Sequence, residues 1–186
     1  MTKSELRKIY LPKQKSFGSE RIEKSRVIAD LFFSSFDLSG IKYLHCFIPI
    51  EKFNEIDTSL ITDRIWKEFS LIQVVVPRVD FATGEMISLI LSPETPLVRN
   101  AWDISEPVHD EVVAADKIDM VLVPALCFDR LGHRVGYGKG FYDRFLKRCR
   151  YDCIRVGLSY FSPVDEIEDV HDGDVRLDAL LTAGLS

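Results

Sequence analysis

The feature that most constrains this fold is an apolar run, MVLVPAL, at residues 120–126. A run rich in β-branched residues, with no alternation of polar residues, predicts a strand buried on both faces, as in parallel sheets. The chain then passes through a loop with three alternating glycines, Gly136, Gly138 and Gly140. Apolar residues at helical spacing over 142–149 predict an amphipathic helix directly after that loop.

Other predicted helices and strands alternate along the chain. Thr2 and Glu5 form a possible capping box for a first helix, which we expect Pro12 to end. The remaining predicted elements are a helix after Ser19, a strand over 43–50, a helix capped by Asp57 and reaching Phe69, a strand over 71–76 ended by Pro77, and strands over 86–91, 154–160 and 179–183. Strands separated by helices predict one α/β domain over 1–186: a three-layer, open, mostly parallel, Rossmann-like sheet with helices on both faces.

Composition and charge narrow the class of protein. The 186 residues are 46% hydrophobic and 28% charged, as in a globular protein, and the net charge is −5. A negative balance argues against binding nucleic acid through a broad basic face. The longest apolar run is too short to span a bilayer, and the start, MTKSELRKIY, lacks an apolar signal core. We therefore expect a cytoplasmic protein with no nucleic-acid or membrane partner.

The cysteines and histidines do not have the spacing of a zinc site. The four cysteines are Cys46, Cys127, Cys149 and Cys153. No pair matches a zinc motif, so reduced structural cysteines are expected. His45 alternates with apolar neighbours in a predicted strand, which favours a core or surface histidine over a metal ligand.

The glycine loop has the parts of a phosphate site. A strand, a glycine loop and a helix start present free backbone N–H groups to an anion. Lys139 adds a mobile cation, and Asp143, one turn into the helix, is a hard oxygen ligand suited to Mg²⁺. The loop is neither GxxxxGK[ST] nor GxGxxG. It is predicted at the carboxyl ends of the strands, where ligands bind in such sheets.

The full string PALCFDRLGHRVGYGKGFYDRFL resembles the signature of 5-formyltetrahydrofolate cyclo-ligases, also called methenyltetrahydrofolate synthetases. The matching residues are Pro124, Phe128, Asp129, Arg134, Gly136, Gly138, Gly140, Phe141, Tyr142 and Asp143. The resemblance implies cyclisation of 5-formyltetrahydrofolate to 5,10-methenyltetrahydrofolate, with ATP as co-substrate, Mg²⁺ as cofactor, and release of ADP and phosphate after phosphorylation of the formyl group. We expect a monomer or a weak dimer.

The resemblance assigns two sets of residues to ATP. They are Lys3, Ser4, Glu5, Leu6 and Arg7 near the amino terminus, and Arg134, Val135, Gly136, Tyr137, Gly138, Lys139, Gly140, Phe141 and Tyr142 in the signature. Lys139 and Arg134 are the implied catalytic cations. Taken alone, the Lys3–Arg7 pair would be an ordinary solvated face, and Arg134 a surface arginine of a turn.

The implied folate site contains Glu55, whose carboxylate would accept two hydrogen bonds from the pterin edge. Ile48 and Trp102 would line the same pocket, together with loop residues 137–141 (Tyr137, Gly138, Lys139, Gly140 and Phe141). The alternatives are a plain loop carboxylate for Glu55 and a core aromatic for Trp102.

The implied metal ligands are Asp143 and a second aspartate near the carboxyl end of the chain. Asp174 matches best by its spacing from Asp178, and Asp172 remains a competitor. Two other functions stay open at this point. One is a folate- and nucleotide-binding regulatory protein without ligase activity, and the other is a sugar-phosphate or coenzyme A enzyme on a related sheet.

Overall fold

A computed structural model describes residues 1–184 of the chain. Its helices are α1 (Lys3–Lys15), α2 (Glu20–Ser35), α3 (Ser59–Glu68) and α4 (Phe141–Leu146). Its strands are β1 (Tyr43–His45), β2 (Gln73–Asp80), β3 (Glu85–Leu91), β4 (Leu97–Arg99), β5 (Ser105–Pro107), β6 (Val112–Val113), β7 (Met120–Pro124), β8 (Cys127–Phe128), β9 (Arg134–Val135), β10 (Ile154–Ser159) and β11 (Ala179–Thr182). Short 3₁₀ helices lie at Glu51–Phe53 and Ala115–Lys117.

The main sheet has seven strands in the order β11-β10-β7-β1-β2-β3-β6. The first five are mutually parallel, whereas β3 runs antiparallel to β2, and β6 runs antiparallel to β3. The prediction of an α/β fold with a mostly parallel sheet is therefore confirmed. Two small antiparallel pairs, β4–β5 and β8–β9, lie outside this sheet.

Strand β7 lies inside the sheet and is covered on both faces, as its apolar run predicts. Leu122 packs with side chains of α2 and α3 on one face of the sheet. Val121 and Val123 pack with Phe145 and Leu146 of α4 on the other face. Helix α4 therefore lies against the sheet through its apolar face. This packing fixes the position of the glycine loop, which directly precedes the helix.

Pro12 does not end the first helix, contrary to the sequence prediction. Helix α1 continues through Pro12 to Lys15. Proline removes one helical hydrogen bond and its ring crowds the preceding turn, but the Pro12 side chain is exposed, so its ring faces solvent. Gln14 beyond it is buried and donates hydrogen bonds to the Phe53 carbonyl at 2.8 Å and the Tyr137 hydroxyl at 3.1 Å. Those contacts hold the last turn in place.

Pro77 does not end strand β2 either, because its missing N–H faces a side of β2 without a partner strand. Val75 directs its carbonyl to the N–H of Cys46, on the β1 side. Pro77 is two residues further on and therefore points the same way, where β1 has already ended at His45. Pairing with β3 on the other side continues to Asp80.

Three predicted boundaries are also shifted. The strand predicted over 43–50 ends at His45, and further along the chain the Ile50 N–H donates to the Glu55 carboxylate rather than to a strand. Helix α3 has Thr58 as its N-cap residue, although Asp57 still accepts the Ser59 N–H at 3.1 Å. Helix α4 ends at Leu146, three residues earlier than predicted. Within residues 1–184, no helix has the length and apolar character needed to cross a membrane.

Candidate active site

The glycine loop follows β9 and has a backbone that favours glycine at two positions. Gly138 has φ = 87° and Gly140, the N-cap residue of α4, has φ = 67°. Arg7 lies over this loop, because its Nε donates to the Gly136 carbonyl at 2.9 Å. A Cβ on Gly138 would lie 3.2 Å from the Arg7 Cζ. Glycine at 138 therefore allows both the backbone turn and the close approach of the guanidinium.

Helix α1 brings the amino-terminal cations to the loop. Leu6 is buried in a cluster with Cys127, Val135 and Ile167, so α1 packs directly on the β8–β9 pair. Arg7 consequently reaches the loop. The structure thus brings together two predicted segments, 3–7 and 134–142, that are more than a hundred residues apart in the sequence.

The predicted ATP residues differ in what their side chains can reach. Leu6 and Val135 are buried against each other, so only their backbone is available to a ligand. Ser4 and Glu5 are exposed, and the Glu5 carboxylate accepts the Thr2 N–H at 2.8 Å in the predicted capping box.

Lys139 is the exposed cation of the loop. Its carbonyl accepts a hydrogen bond from Arg144 at 3.1 Å, which helps to fix the backbone. Within residues 1–184, its ammonium group makes no hydrogen bond or ion pair. An ammonium group on a fixed loop without a protein partner is suited to bind a phosphate oxygen.

The first predicted metal ligand, Asp143, lies in the first turn of α4. Its Oδ1 accepts hydrogen bonds from Arg134 at 2.7 Å and from the Val175 N–H at 3.0 Å. Arg134 also donates to the Val175 carbonyl at 2.7 Å. Because Val175 follows Asp174 directly, these bonds bring the second predicted ligand close to the first.

Asp174 is partly buried, with 14% of its side chain exposed, and is paired with a cation. Its carboxylate accepts the ammonium of Lys3 and the His171 N–H. Burial opposes ionisation of Asp174, but these hydrogen bonds outweigh it and hold the pKa of the carboxyl group below its usual range. Asp172, by contrast, is exposed. The geometry therefore favours Asp174 over Asp172 as the partner of Asp143.

The two carboxylates suit a magnesium ion that also binds phosphate. Both offer hard oxygen donors, and Mg²⁺ typically takes one or two carboxylates and completes its shell with waters and substrate phosphates. The part of the chain described by the structure has no group of three or more histidine, cysteine or acidic side chains arranged to hold a metal. Asp143 and Asp174 thus fit an ion shared with a nucleotide, rather than one held by protein ligands alone.

Glu55 is a buried carboxylate, which distinguishes it from an ordinary loop acid. Its exposed fraction is 4%, and its Oε2 accepts the Ile50 N–H at 2.7 Å. Burial raises the pKa of Glu55 to about 7, although hydrogen bonds from Ile50 and Tyr137 and the charge of Arg21 oppose the shift. Burial also raises the pKa of Tyr137, which stays a neutral hydroxyl beside the carboxylate.

Ile48 and Glu55 line two adjacent cavities rather than one. Glu55 and Tyr137 line a small cavity beneath the glycine loop. Ile48 lines a larger cavity of about 600 Å³ between α3, β2 and the segment after β3. Phe47 lines both cavities, so this side chain lies between the two spaces.

Trp102 lies at the surface, so its alternative role as a core aromatic is wrong. The residue is 54% exposed, and its ring stacks on Phe81 with centroids 4.7 Å apart. Phe81 meets the edge of Phe141 at 5.5 Å. Trp102 is thereby connected to the start of α4 through Phe81, a residue that the sequence reasoning missed. Phe81 lies in a hairpin turn, and no sequence signal marks it.

Gln14 is a second residue that the sequence reasoning missed. It lies seven residues after Arg7, so the two share one face of α1. The hydrogen bond from its side-chain amide to the Tyr137 hydroxyl joins α1 to the neighbourhood of Glu55. Helical spacing could have identified it, had Pro12 not been taken as the end of the helix.

A glycine loop, surrounding cations and paired carboxylates at the carboxyl edge of a mostly parallel sheet are typical of α/β enzymes that act on nucleotide phosphates. Comparison with known sequences makes the class specific. The family model described as the 5-formyltetrahydrofolate cyclo-ligase family matches residues 1–182. The chain belongs to this family.

Individual relatives agree with the family model. The mitochondrial 5-formyltetrahydrofolate cyclo-ligase of Arabidopsis thaliana is 33% identical, over 92% of this chain and 68% of the relative. The enzyme of Mus musculus is 29% identical, over 88% of this chain and 84% of the relative. The solved structure of Aquifex aeolicus 5,10-methenyltetrahydrofolate synthetase superposes with a TM-score of 0.81 at 32% identity, covering 98% of this chain and 90% of that one.

The family and activity predicted from the signature are therefore confirmed. The chain is an enzyme with 5-formyltetrahydrofolate cyclo-ligase activity, and the family implies ATP as co-substrate. Membership over nearly the whole chain decides against a sugar-phosphate or coenzyme A enzyme and against a regulatory protein without ligase activity.

Proposed function

We propose that the enzyme binds the phosphates of ATP at the glycine loop, with Lys139, Arg134, Lys3 and Arg7 as the surrounding cations. The observation that carries this proposal is the contact between α1 and the loop, where Arg7 donates to Gly136. This hydrogen bond holds the guanidinium of a basic residue over a glycine backbone 129 positions away. Backbone N–H groups of the loop and the start of α4 add further donors to phosphate oxygens.

The proposed reaction activates a poor leaving group. A formyl group attached to nitrogen is an amide, and its oxygen is a poor leaving group. The enzyme therefore transfers the γ-phosphoryl group of ATP to that oxygen and releases ADP. The anilino nitrogen of the folate then attacks the formyl carbon, and the carbon–oxygen bond breaks as phosphate departs. Loss of the proton on that nitrogen gives 5,10-methenyltetrahydrofolate. Lys139 and Arg134 stabilise the charge that develops on the transferring phosphoryl group.

We further propose that Asp143 and Asp174 hold the Mg²⁺ ion. When bound, the ion neutralises phosphate charge and orients the phosphoryl group. Each aspartate already faces a cation that can also contact phosphate, namely Arg134 for Asp143 and Lys3 for Asp174. The same two pairs therefore keep the carboxylates oriented for the metal.

The folate is assigned to the space beside Glu55 and to the adjoining cavity. The Glu55 carboxylate accepts paired hydrogen bonds from the amino-pyrimidine edge of the pterin. The benzoyl part of the substrate is assigned to the apolar cavity that Ile48 lines, which adjoins the Glu55 cavity at Phe47. Trp102, stacked on Phe81, is the exposed aromatic that contacts the substrate from the side of α4.

The direct test incubates the protein with ATP, Mg²⁺ and 5-formyltetrahydrofolate and follows the absorbance of the methenyl product. We expect product only when all three are present, with one ADP released for each product molecule. Product formed at the same rate without ATP would contradict the phosphorylated intermediate.

The metal assignment predicts different effects for three aspartates. Asp143→Asn and Asp174→Asn should each raise the Mg²⁺ concentration that gives half-maximal rate, because an amide keeps the shape but lacks the charge that a hard cation needs. Asp172→Asn is the matched control and should change this concentration little. The double variant Asp143→Asn/Asp174→Asn should be less than additive, since both residues act on one ion. If Asp172→Asn raised this Mg²⁺ concentration and Asp174→Asn did not, the second metal ligand would be Asp172.

A further inference from the structure

The turn between β8 and β9 contains a buried aspartate and histidine that the proposed reaction does not use. Asp129 is fully buried, and its Oδ2 lies 2.9 Å from Nδ1 of His133. The Nε2 of the same imidazole accepts a hydrogen bond from Nε of Arg176 at 2.9 Å. Because Nε2 accepts, the ring proton lies on Nδ1 and points to Asp129. The three side chains form one continuous hydrogen-bonded chain, ending on a residue close to Asp174.

Asp129 is oriented by more than the histidine. Its Oδ1 accepts the N–H groups of Leu131 and His133, at 2.9 and 3.0 Å. Burial alone would raise its pKa, but the bonds from His133 and Leu131 outweigh burial and hold the pKa of this carboxyl group below its usual range. The carboxylate is therefore an ionised, fixed acceptor that sets the orientation of the imidazole.

The turn contacts the carboxyl-terminal segment at three successive residues. The Leu177 N–H donates to the Gly132 carbonyl at 2.9 Å, Arg176 donates to His133, and Arg134 donates to the Val175 carbonyl. Residues 132, 133 and 134 thus meet residues 177, 176 and 175 in reverse order. The next residue in this order is 174, a proposed metal ligand.

The contact at Gly132 leaves little freedom to shift this register. Gly132 has φ = 87°, and a Cβ there would lie 2.6 Å from the Leu177 carbonyl oxygen. Only glycine allows the two backbones to approach so closely. The turn and the segment 174–177 therefore behave as one packed unit.

We infer that Asp129, His133 and Arg176 are positioning residues that hold the segment 174–177 so that Asp174 stays beside Asp143. This inference rests on the proposed function in one respect, the assignment of Asp174 to the metal. A purely structural role does not account for Arg176, because substitution of an exposed arginine usually changes the free energy of unfolding little.

The test substitutes Arg176→Met, which keeps the aliphatic stem and removes the donor to His133. We expect the midpoint of thermal unfolding to stay close to that of the wild type, while the amides of Val175 and Leu177 exchange with solvent faster. The half-saturating Mg²⁺ concentration for turnover should rise about tenfold, the lower end of what loss of an outer partner of a metal ligand costs. Calorimetric affinity for ADP with Mg²⁺ should fall in parallel. Arg64→Met, which removes an ion pair with Glu68 on the surface of α3, is the matched control.

Two substitutions of His133 separate its two bonds. His133→Gln places an acceptor near the Nε2 position and should partly preserve the hydrogen bond from Arg176. His133→Asn places its amide near Nδ1, keeps a donor to Asp129, and should behave like Arg176→Met. Equal, wild-type Mg²⁺ dependence in both variants would overturn the inference.

Hydrogen exchange separates failure of this inference from failure of the metal assignment. Unchanged exchange of Val175 and Leu177 in Arg176→Met would show that Arg176 does not position the segment. Faster exchange with unchanged Mg²⁺ dependence would also overturn the inference, provided that Asp174→Asn does shift that dependence. If Asp174→Asn has no effect either, the metal assignment is wrong and the faster exchange supports the positioning role.

Discussion

Replacing Lys139 with methionine should lower turnover by about a hundredfold to a thousandfold while the protein stays folded. The loss follows from removing one cation that stabilises the transferring phosphoryl group, and single electrostatic donors of this kind typically contribute that much. Folding should be unaffected, because Lys139 is exposed and its ammonium group holds no partner within residues 1–184. Steady-state rates at saturating ATP and folate, together with the thermal unfolding midpoint, measure both expectations.

Lys117→Met is the matched control for that result. Lys117 is also exposed, but it lies just before β7 begins, at the opposite edge of the sheet. We expect its turnover to equal that of the wild type. A Lys139→Met enzyme with near-native turnover would remove Lys139 from the phosphate site.

Glu55→Gln should weaken folate binding by on the order of 1–3 kcal/mol and leave ATP binding unchanged. The carboxylate is buried and accepts hydrogen bonds, whereas an amide would direct one donor against a donor of the pterin. Calorimetric titration with each ligand separately measures the two affinities. Glu51→Gln, an exposed carboxylate four residues earlier, serves as the control. Weakened ATP affinity with unchanged folate affinity would contradict the pocket assignment.

The raised pKa of Glu55 also predicts how folate binding and stability depend on pH. Folate affinity should rise as pH increases through about 7, because only the ionised carboxylate accepts both hydrogen bonds. The stability of the unliganded protein should change in the opposite direction. The folded pKa lies above the usual value of 4.5, so the contribution to stability is full below pH 4.5 and is lost as pH rises through about 7. Glu55→Gln should remove most of this dependence, which is on the order of 2–3 kcal/mol between pH 5 and 8.

Denaturant unfolding at pH 5 and pH 8 tests the stability part of this prediction. The difference in unfolding free energy between the two pH values should be smaller in Glu55→Gln than in the wild type. Equal differences in the two proteins would show that Glu55 does not titrate between these pH values.

The sequence was sufficient for the parts of the fold that depend on local patterns. The apolar run of β7 predicted burial on both faces, and Thr2 with Glu5 predicted the capping box of α1. The predictions that Pro12 ends α1 and that Pro77 ends β2 were wrong, because the effect of a proline depends on neighbours that lie elsewhere in the chain. Pro12 is tolerated because it lies on the exposed face of a helix whose last turn is anchored by Gln14, and Pro77 is tolerated because β1 ends early.

The site could be predicted only as far as the signature extends. Lys139 and Asp143 lie in one continuous motif, so their neighbourhood follows from local sequence. The contacts of Arg176 with His133 and of Phe81 with Trp102 join segments 43 and 21 residues apart, and no periodicity relates them. Burial of Glu55 is likewise a property of packing, because its local sequence is that of an ordinary loop.

The ion pair between Lys3 and Asp174 joins residues 171 positions apart, nearly the whole length of the described chain. A site closed by such a contact forms late in folding, since the entropy of closing a long loop must be offset before the contact is made. The enzyme would therefore become active only once α1 has docked on the β8–β9 pair. Fraying of α1 alone would also inactivate the enzyme while the sheet remained intact. The lifetime of activity at elevated temperature is then set by the docking of one helix.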